Sequence, residues 1–344
     1  MNTHNTVEFS RLASFQEVLS NKVIRCHICP HNCLIHENKT GLCHTRINIG
    51  GELYTTAYGN PCSVSMDPIE KKPLFHFFPA SKIYSLATAG CNFRCLNCQN
   101  WQISQTSPQE IDHADLMPEE LVHQALRHGS DMIAFTYTEP TVFYEYMFDT
   151  AKAARAKGIK TVLISNGFIN PAPLLQLCPY LSAANIDLKC FSDEVYRRLA
   201  GGRLQPVLDT LKTLRENGVW LEITNLVIPG YSDSPEMMKD MCEWLVGNGF
   251  ASTPLHFSRF FPTFNLPDVP PTDKNVLIKA KEIAQNSGMK YVYIGNLPGL
   301  HEENTYCPSC KKMLVERVGF AVTENNIRNG KCSFCGETIE GVWE

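Results

Sequence analysis

Gly90-Cys91-Asn92-Phe93-Arg94-Cys95-Leu96-Asn97-Cys98-Gln99-Asn100 sets three cysteines at C-x3-C-x2-C spacing. The run offers three thiolates to a metal centre and no nearby fourth. A closed structural site takes four protein ligands, whereas a catalytic one keeps a position open. Thiolates also hold iron–sulfur clusters, four to a complete 4Fe–4S cubane. A compact loop with three therefore points to a 4Fe–4S cluster that leaves one iron to a small molecule. A zinc loop completed by a distant ligand is the competing reading, although zinc knuckles favour C-x2-C pairs. The stretch just before, Lys82 to Ala89, reads as a buried strand. The loop then sits at a strand's C-terminal end, where α/β barrels gather their active sites.

Downstream, apolar runs near residues 132–137, 161–165, 184–188, 220–227, 255–260 and 291–294 alternate with amphipathic stretches. Repeated strand–helix units imply a parallel sheet with right-handed crossovers. Six or seven units, counting the strand before the loop, fall short of a closed eight-fold barrel. The expected fold is α/β, an open (β/α)6 partial TIM-type barrel over residues 81–299. A cysteine-rich segment, 1–80, precedes it, and a zinc-ribbon-like segment, 300–344, follows.

At 344 residues with 44% hydrophobic content the chain can bury a sizeable core. A net charge of −4 and no basic tract argue against a nucleic-acid surface. No apolar stretch reaches membrane-spanning length, and Met1 to Ser20 lacks a signal-peptide core. A cytoplasmic protein without membrane or nucleic-acid partners is expected. Fifteen cysteines without a secretion signal, grouped at C-x2-C spacing, mean metal rather than disulfides. Cys62, Cys178, Cys190 and Cys242 stand apart and read as buried thiols.

Cys307, Cys310, Cys332 and Cys335 form C-x2-C-x21-C-x2-C, a spacing that directs four sulfurs at one tetrahedral ion. Zinc is favoured there over a single iron, because it suits a closed structural tetrad. Cys26, Cys29, Cys33 and Cys43 are less regular. Zinc is the first reading and an auxiliary iron–sulfur cluster the second. A crossed arrangement, with one pair from each flank sharing an ion, stays open.

The cysteine loop at its strand end resembles the hallmark of the radical S-adenosylmethionine (radical SAM) superfamily. That resemblance implies a 4Fe–4S cluster on Cys91, Cys95 and Cys98 whose open iron chelates S-adenosylmethionine. Reductive cleavage then gives a 5′-deoxyadenosyl radical that abstracts hydrogen from a protein or metabolite. One departure is Asn97, at a position usually aromatic in the superfamily and beside the adenine. Further strand-end motifs bear on the cofactor. Ala134-Phe135-Thr136-Tyr137-Thr138-Glu139-Pro140 matches the position of the family's Gly-Gly-Glu-type motif, so Glu139 is expected near the cofactor's amino group. Capping of the next helix is its other reading. Asn166 in Ser165-Asn166-Gly167 could bond ribose or carboxylate. Asp187 and Lys189 share a strand face and are the candidate catalytic pair, or else a structural ion pair. Val227, in Leu226-Val227-Ile228-Pro229-Gly230, is expected near the adenine.

These motifs together resemble the pyruvate formate-lyase activating enzymes, oxidoreductases served by a reducing protein such as flavodoxin or ferredoxin. The chain is more similar still to the radical SAM enzymes of the AmmeMemoRadiSam system. The segments Cys26 to Cys33, Gly41-Leu42-Cys43, Asp67-Pro68-Ile69-Glu70-Lys71-Lys72-Pro73-Leu74 and Cys98-Gln99-Asn100-Trp101, with the C-terminal pairs, carry that similarity. Activation of a glycyl-radical enzyme is the alternative activity implied.

Overall fold

Strands that are apolar along their length are buried on both faces when helices cover one side and a filled interior the other. The computed structural model has this arrangement and describes residues 10–297, 299 and 301–344. Leu300, the expected start of the C-terminal segment, lies outside the described residues, as do residues 1–9. One sheet holds β1 (Ser63–Pro68), β2 (Lys82–Ala87), β3 (Met132–Phe135) and β4 (Lys160–Ser165). It continues with β5 (Ala183–Asp187), β6 (Trp220–Val227), β7 (Leu255–Arg259) and β8 (Val292–Gly295). The strands lie in chain order. β1 pairs antiparallel with β2, and the other pairings are parallel. The two end strands of the described sheet do not pair, so the barrel is open, as its unit count predicts.

The crossovers carry α1 (Pro118–Arg127), α2 (Tyr144–Ala156), α3 (Pro171–Leu177), α4 (Asp193–Ala200), α5 (Leu204–Glu216), α6 (Pro235–Gly247) and α7 (Lys274–Asn286). Three begin on proline, whose missing N–H costs nothing in a first turn. Ser192, Ser234 and Asp273 cap α4, α6 and α7 by accepting backbone N–H groups. Among the described residues no helix is long and apolar enough to cross a membrane.

Segment 69–78 crosses the barrel floor, held by the buried Glu222 of β6. This carboxylate accepts from Phe75 N (3.0 Å), His76 N (2.7 Å), Trp220 Nε1 (3.2 Å) and His256 Nε2 (2.6 Å). The same floor docks the C-terminal appendage. Arg317, itself buried, donates to the Phe75 carbonyl at 2.8 Å, and His76 Nδ1 donates to the Glu340 carbonyl at 2.6 Å. His76 is pushed down to about 4 because burial disfavours its charge. The N-terminal appendage has two small antiparallel sheets and docks on α2. Arg46 Nη2 donates to both oxygens of Glu145 at 2.8 and 2.7 Å, and Ser14 N donates to the same carboxylate.

The Arg46–Glu145 pair is 1% and 5% exposed, so removing one partner strands a charge inside the protein. Glu145→Ala is expected to cost about 3–5 kcal/mol, read from chemical denaturation; an unchanged midpoint would contradict this. A second expectation concerns pH. Burial pushes Cys178 and Cys190 up to about 11 and Cys242 up to about 12. The unfolded chain releases these protons near the ordinary value of 9.0, whereas the folded chain resists doing so. Stability is thus retained below pH 9 and falls as pH rises from there toward 11 and 12. Urea midpoints that stay level between pH 8 and pH 10.5 would refute the assignment.

Candidate active site

A cavity of about 490 Å³ opens at the C-terminal ends of the parallel strands. That volume falls in the range of small-molecule sites, roughly 300–1,000 Å³. Cys91, Cys95 and Cys98 line one wall, the exits of β3 to β7 line others, and Lys71 and Lys72 rise from the floor segment.

The loop carrying these cysteines is fixed by its own polar groups. Asn92 Nδ2 donates to the Phe168 carbonyl at 2.9 Å, and Asn92 Oδ1 accepts from Asn166 Nδ2 at 2.8 Å. His31 Nε2 donates to the Asn92 carbonyl at 2.8 Å. Arg94 N and Leu96 N donate to Ala200 and Leu199 at the end of α4, both at 2.9 Å. Cys98 Sγ lies 3.1 Å from Ser104 Oγ. Burial pushes Cys91 well up and Cys95 up to about 11, so bare thiolates are disfavoured there. A bound cation reverses this, because metal binding replaces the thiol protons.

The donor set fits an iron–sulfur cluster better than one ion. Among the described residues, no three of these sulfurs join a group whose donor atoms all lie within 4.8 Å. Cys307, Cys310, Cys332 and Cys335 do form such a group. There Cys307 Sγ is 3.7 Å from Cys335 Sγ, and Cys310 Sγ is 3.8 Å from Cys332 Sγ. Four sulfurs at the ~2.3 Å zinc–sulfur distance stand about 3.8 Å apart, so this tetrad fits a single tetrahedral ion. The four C-terminal sulfurs close on one another, and no N-terminal cysteine enters the group.

Glu139 is both a cavity residue and a cap. Its Oε1 accepts from Thr141 N (3.0 Å), Thr141 Oγ1 (2.6 Å) and Ser165 Oγ (2.8 Å), while Oε2 accepts from Asn166 N at 2.8 Å. Oε2 retains capacity for one more donor. Asn166 lines the cavity too, but its side chain is engaged by Asn92 and by Phe168 N. Gly167 has φ +71, and a Cβ there would stand 2.9 Å from Ile186 Cγ2, so both turn and packing require glycine.

Asp187 and Lys189 project together into the cavity, as strand alternation predicts, and pair at 2.9 Å. Burial opposes the Lys189 charge, but Asp187 and the Cys95 sulfur more than offset this and raise its pKa. Val227 does not line the cavity. Strand alternation turns Thr224 and Leu226 inward and Val227 into the core, where it is fully buried. His256 belongs to the floor network and Arg259 bonds the Thr272 carbonyl, so neither enters the site.

Sequence reasoning gave no role to Lys71 and Lys72. Both bond Asp67, at 2.9 and 2.6 Å, and Tyr137 OH donates to the same carboxylate. Burial pulls Lys72 down to about 8 even though Asp67 opposes that shift. The available signal was the Asp67-x3-Lys71-Lys72 run, with an acid four and five residues before two bases. Ser104, Ser258 and Asn296 also line the cavity and carried no sequence signal.

The family model described as the Radical SAM superfamily matches residues 85–245, from within β2 into α6. An uncharacterized protein of Methanocaldococcus jannaschii, MJ0808, is 46% identical over 334 residues, covering 96% of this chain and 99% of that one. The pyruvate formate-lyase 1-activating enzyme of Escherichia coli is 26% identical over 218 residues, covering 59% of this chain and 89% of that one. A structure of Streptococcus suis SuiB bound to S-adenosylmethionine has a TM-score of 0.49 and 15% identity, covering 70% of this chain and 56% of that one. With its three-cysteine loop at the mouth of an open barrel, the chain belongs to the radical SAM superfamily.

Proposed function

We propose that this chain cleaves S-adenosylmethionine reductively and directs the 5′-deoxyadenosyl radical at a hydrogen of a protein or metabolite substrate. The observation that carries the reading is the convergence of Cys91, Cys95 and Cys98 with Glu139, Asn166, Asp187 and Lys189 on one cavity. A 4Fe–4S cluster on the three cysteines would supply the electron and an open iron for S-adenosylmethionine. A small low-potential protein of the flavodoxin or ferredoxin class is the proposed electron donor.

The side chains have separable tasks. Glu139 holds the exits of β3 and β4 together, and its spare Oε2 capacity suits the cofactor's ammonium. Lys189 brings positive charge beside the Cys95 sulfur and suits an anionic cofactor or cluster. Asn97 Oδ1 is buried at the cavity wall without a hydrogen-bond partner. An acceptor in that state awaits a donor, and the amine of an adenine supplies one. The walls would orient the bound cofactor toward one hydrogen of the substrate. Activation of a glycyl-radical enzyme is the second reading, supported by the similarity to the Escherichia coli activating enzyme.

Alanine at Cys91, Cys95 or Cys98 is expected to reduce 5′-deoxyadenosine formation to background in anaerobic, iron-reconstituted protein. An undiminished yield would sink the proposal. Asn97→Ala is expected to leave the iron content intact and raise the KM for S-adenosylmethionine roughly two- to tenfold, the worth of one hydrogen bond. Unaltered KM would remove Asn97 from cofactor binding.

A further inference from the structure

Cys26, Cys29, Cys33 and Cys43 surround a second, small cavity, closed in by Ile28 and Ile35. Cys26, Cys29 and Cys43 are buried, and Cys33 is half-buried. Antiparallel strands Ile24–Cys26 and Leu34–Ile35 set the spacing, bringing Cys26 N onto the Cys33 carbonyl at 3.0 Å. The four therefore face one space without sharing a C-terminal partner.

Their spacing differs from that of a zinc tetrad. Among the described residues, no three of these sulfurs form a group with all donors within 4.8 Å. The C-terminal tetrad of the same molecule closes to 3.7 and 3.8 Å, the edge of a single-ion tetrahedron. In a cubane each thiolate binds a different iron, so the four sulfurs stand farther apart than around one ion.

A second observation comes from Arg46, which lines the same cavity. Its Nη2 is spent on Glu145 and its Nη1 donates to the Ser14 carbonyl at 3.2 Å. Nε, fully buried, has no partner. A buried N–H without an acceptor is disfavoured, and cluster sulfurs accept such donors. Its positive charge also suits an anionic centre.

We propose that Cys26, Cys29, Cys33 and Cys43 hold a second 4Fe–4S cluster, fully ligated by protein, with Arg46 Nε–H donating to one of its sulfurs. This site lies against the loop of the first. A Cβ at Gly90, the residue before Cys91, would stand 2.5 Å from the Cys43 carbonyl oxygen, so the two backbones touch.

The test is iron, zinc and acid-labile sulfide content after anaerobic reconstitution with iron and sulfide, with electron paramagnetic resonance of the reduced protein. The wild-type chain is expected to hold about eight irons and eight sulfides, and the Cys91→Ala/Cys95→Ala/Cys98→Ala variant about four of each. Cys29→Ser/Cys33→Ser should lose the cluster that remains in that variant. About four sulfides in wild type, all lost with the three loop cysteines, would overturn this proposal and leave the first cluster standing. About four sulfides that survive loss of the loop cysteines but not of Cys29 and Cys33 would support it and sink the proposed function. The wild-type sulfide count needs no variant to fold.

Discussion

A carboxylate taken out of water must find its compensation inside the protein, and three glutamates meet this demand by tying distant chain segments to the barrel. Glu222 is fully buried and gathers the floor segment and a histidine of β7. Burial disfavours its charge, but the His256 hydrogen bond and neighbouring imidazole outweigh this and lower its pKa. Glu145 gathers the N-terminal appendage through Arg46. Glu139 gathers the turns after β3 and β4. Each carboxylate thus converts a desolvation cost into a geometric constraint, because its donors come from segments far apart in sequence.

The consequence reaches the cavity from three directions. Glu222 sets the height of the floor, and the floor presents Lys71 and Lys72. Glu145 presses the N-terminal sheets onto α2, bringing His31 against Asn92 in the cysteine loop. Glu139 holds Asn166, whose amide meets Asn92 from the other side. The loop is therefore gripped between an appendage and a strand exit before any metal is considered. Apolar burial supplies most of the stability, but it is non-directional. The charged and polar ties choose among the arrangements that burial alone would allow.

Much of this was legible in the chain. The C-x3-C-x2-C loop, the alternating apolar runs and the shared face of Asp187 and Lys189 are local patterns, and local patterns survive folding. The antiparallel β1 was not foreseen as a sheet member, since Ser63–Pro68 is a polar, half-exposed edge strand with little apolar signal. Val227 was expected near the adenine from its place in the strand-end motif, but alternation from Thr224 and Leu226 turns its side chain into the core. The buried roles of Glu145 and Glu222 could not be read at all. Arg46 and Glu145 are 99 residues apart, and Phe75 and Glu222 are 147 apart. A lone Glu in a helix or strand looks alike whether it meets solvent or a buried arginine. The cysteine groups show the same limit, since spacing names the ligands but the strands beneath them set how far apart the sulfurs stand.

The turn after β3 joins these constraints in one residue. Thr138 N donates to the Thr136 carbonyl at 2.8 Å, closing a three-residue turn with Tyr137 at its centre and φ +62. A tight turn with positive φ at its centre is a rare and strained form, and the left-handed region costs a non-glycine residue about 1–2 kcal/mol. Glycine, which the family's motif has here, would take the turn without strain. It would also give up two of the three ties made here. Tyr137 OH reaches Asp67 below, Lys72 Nζ sits 4.2 Å from its ring centre, and its carbonyl accepts from Asn100 Nδ2 at 2.7 Å. The carbonyl bond would survive in glycine, but the phenol bond and the ring contact would not. Strain of this size persists only where the surroundings over-determine the conformation, and here floor, strand exit and cysteine loop all do so. The side chain that a simpler turn would omit therefore ties the floor to the same residue whose carbonyl holds the cysteine loop.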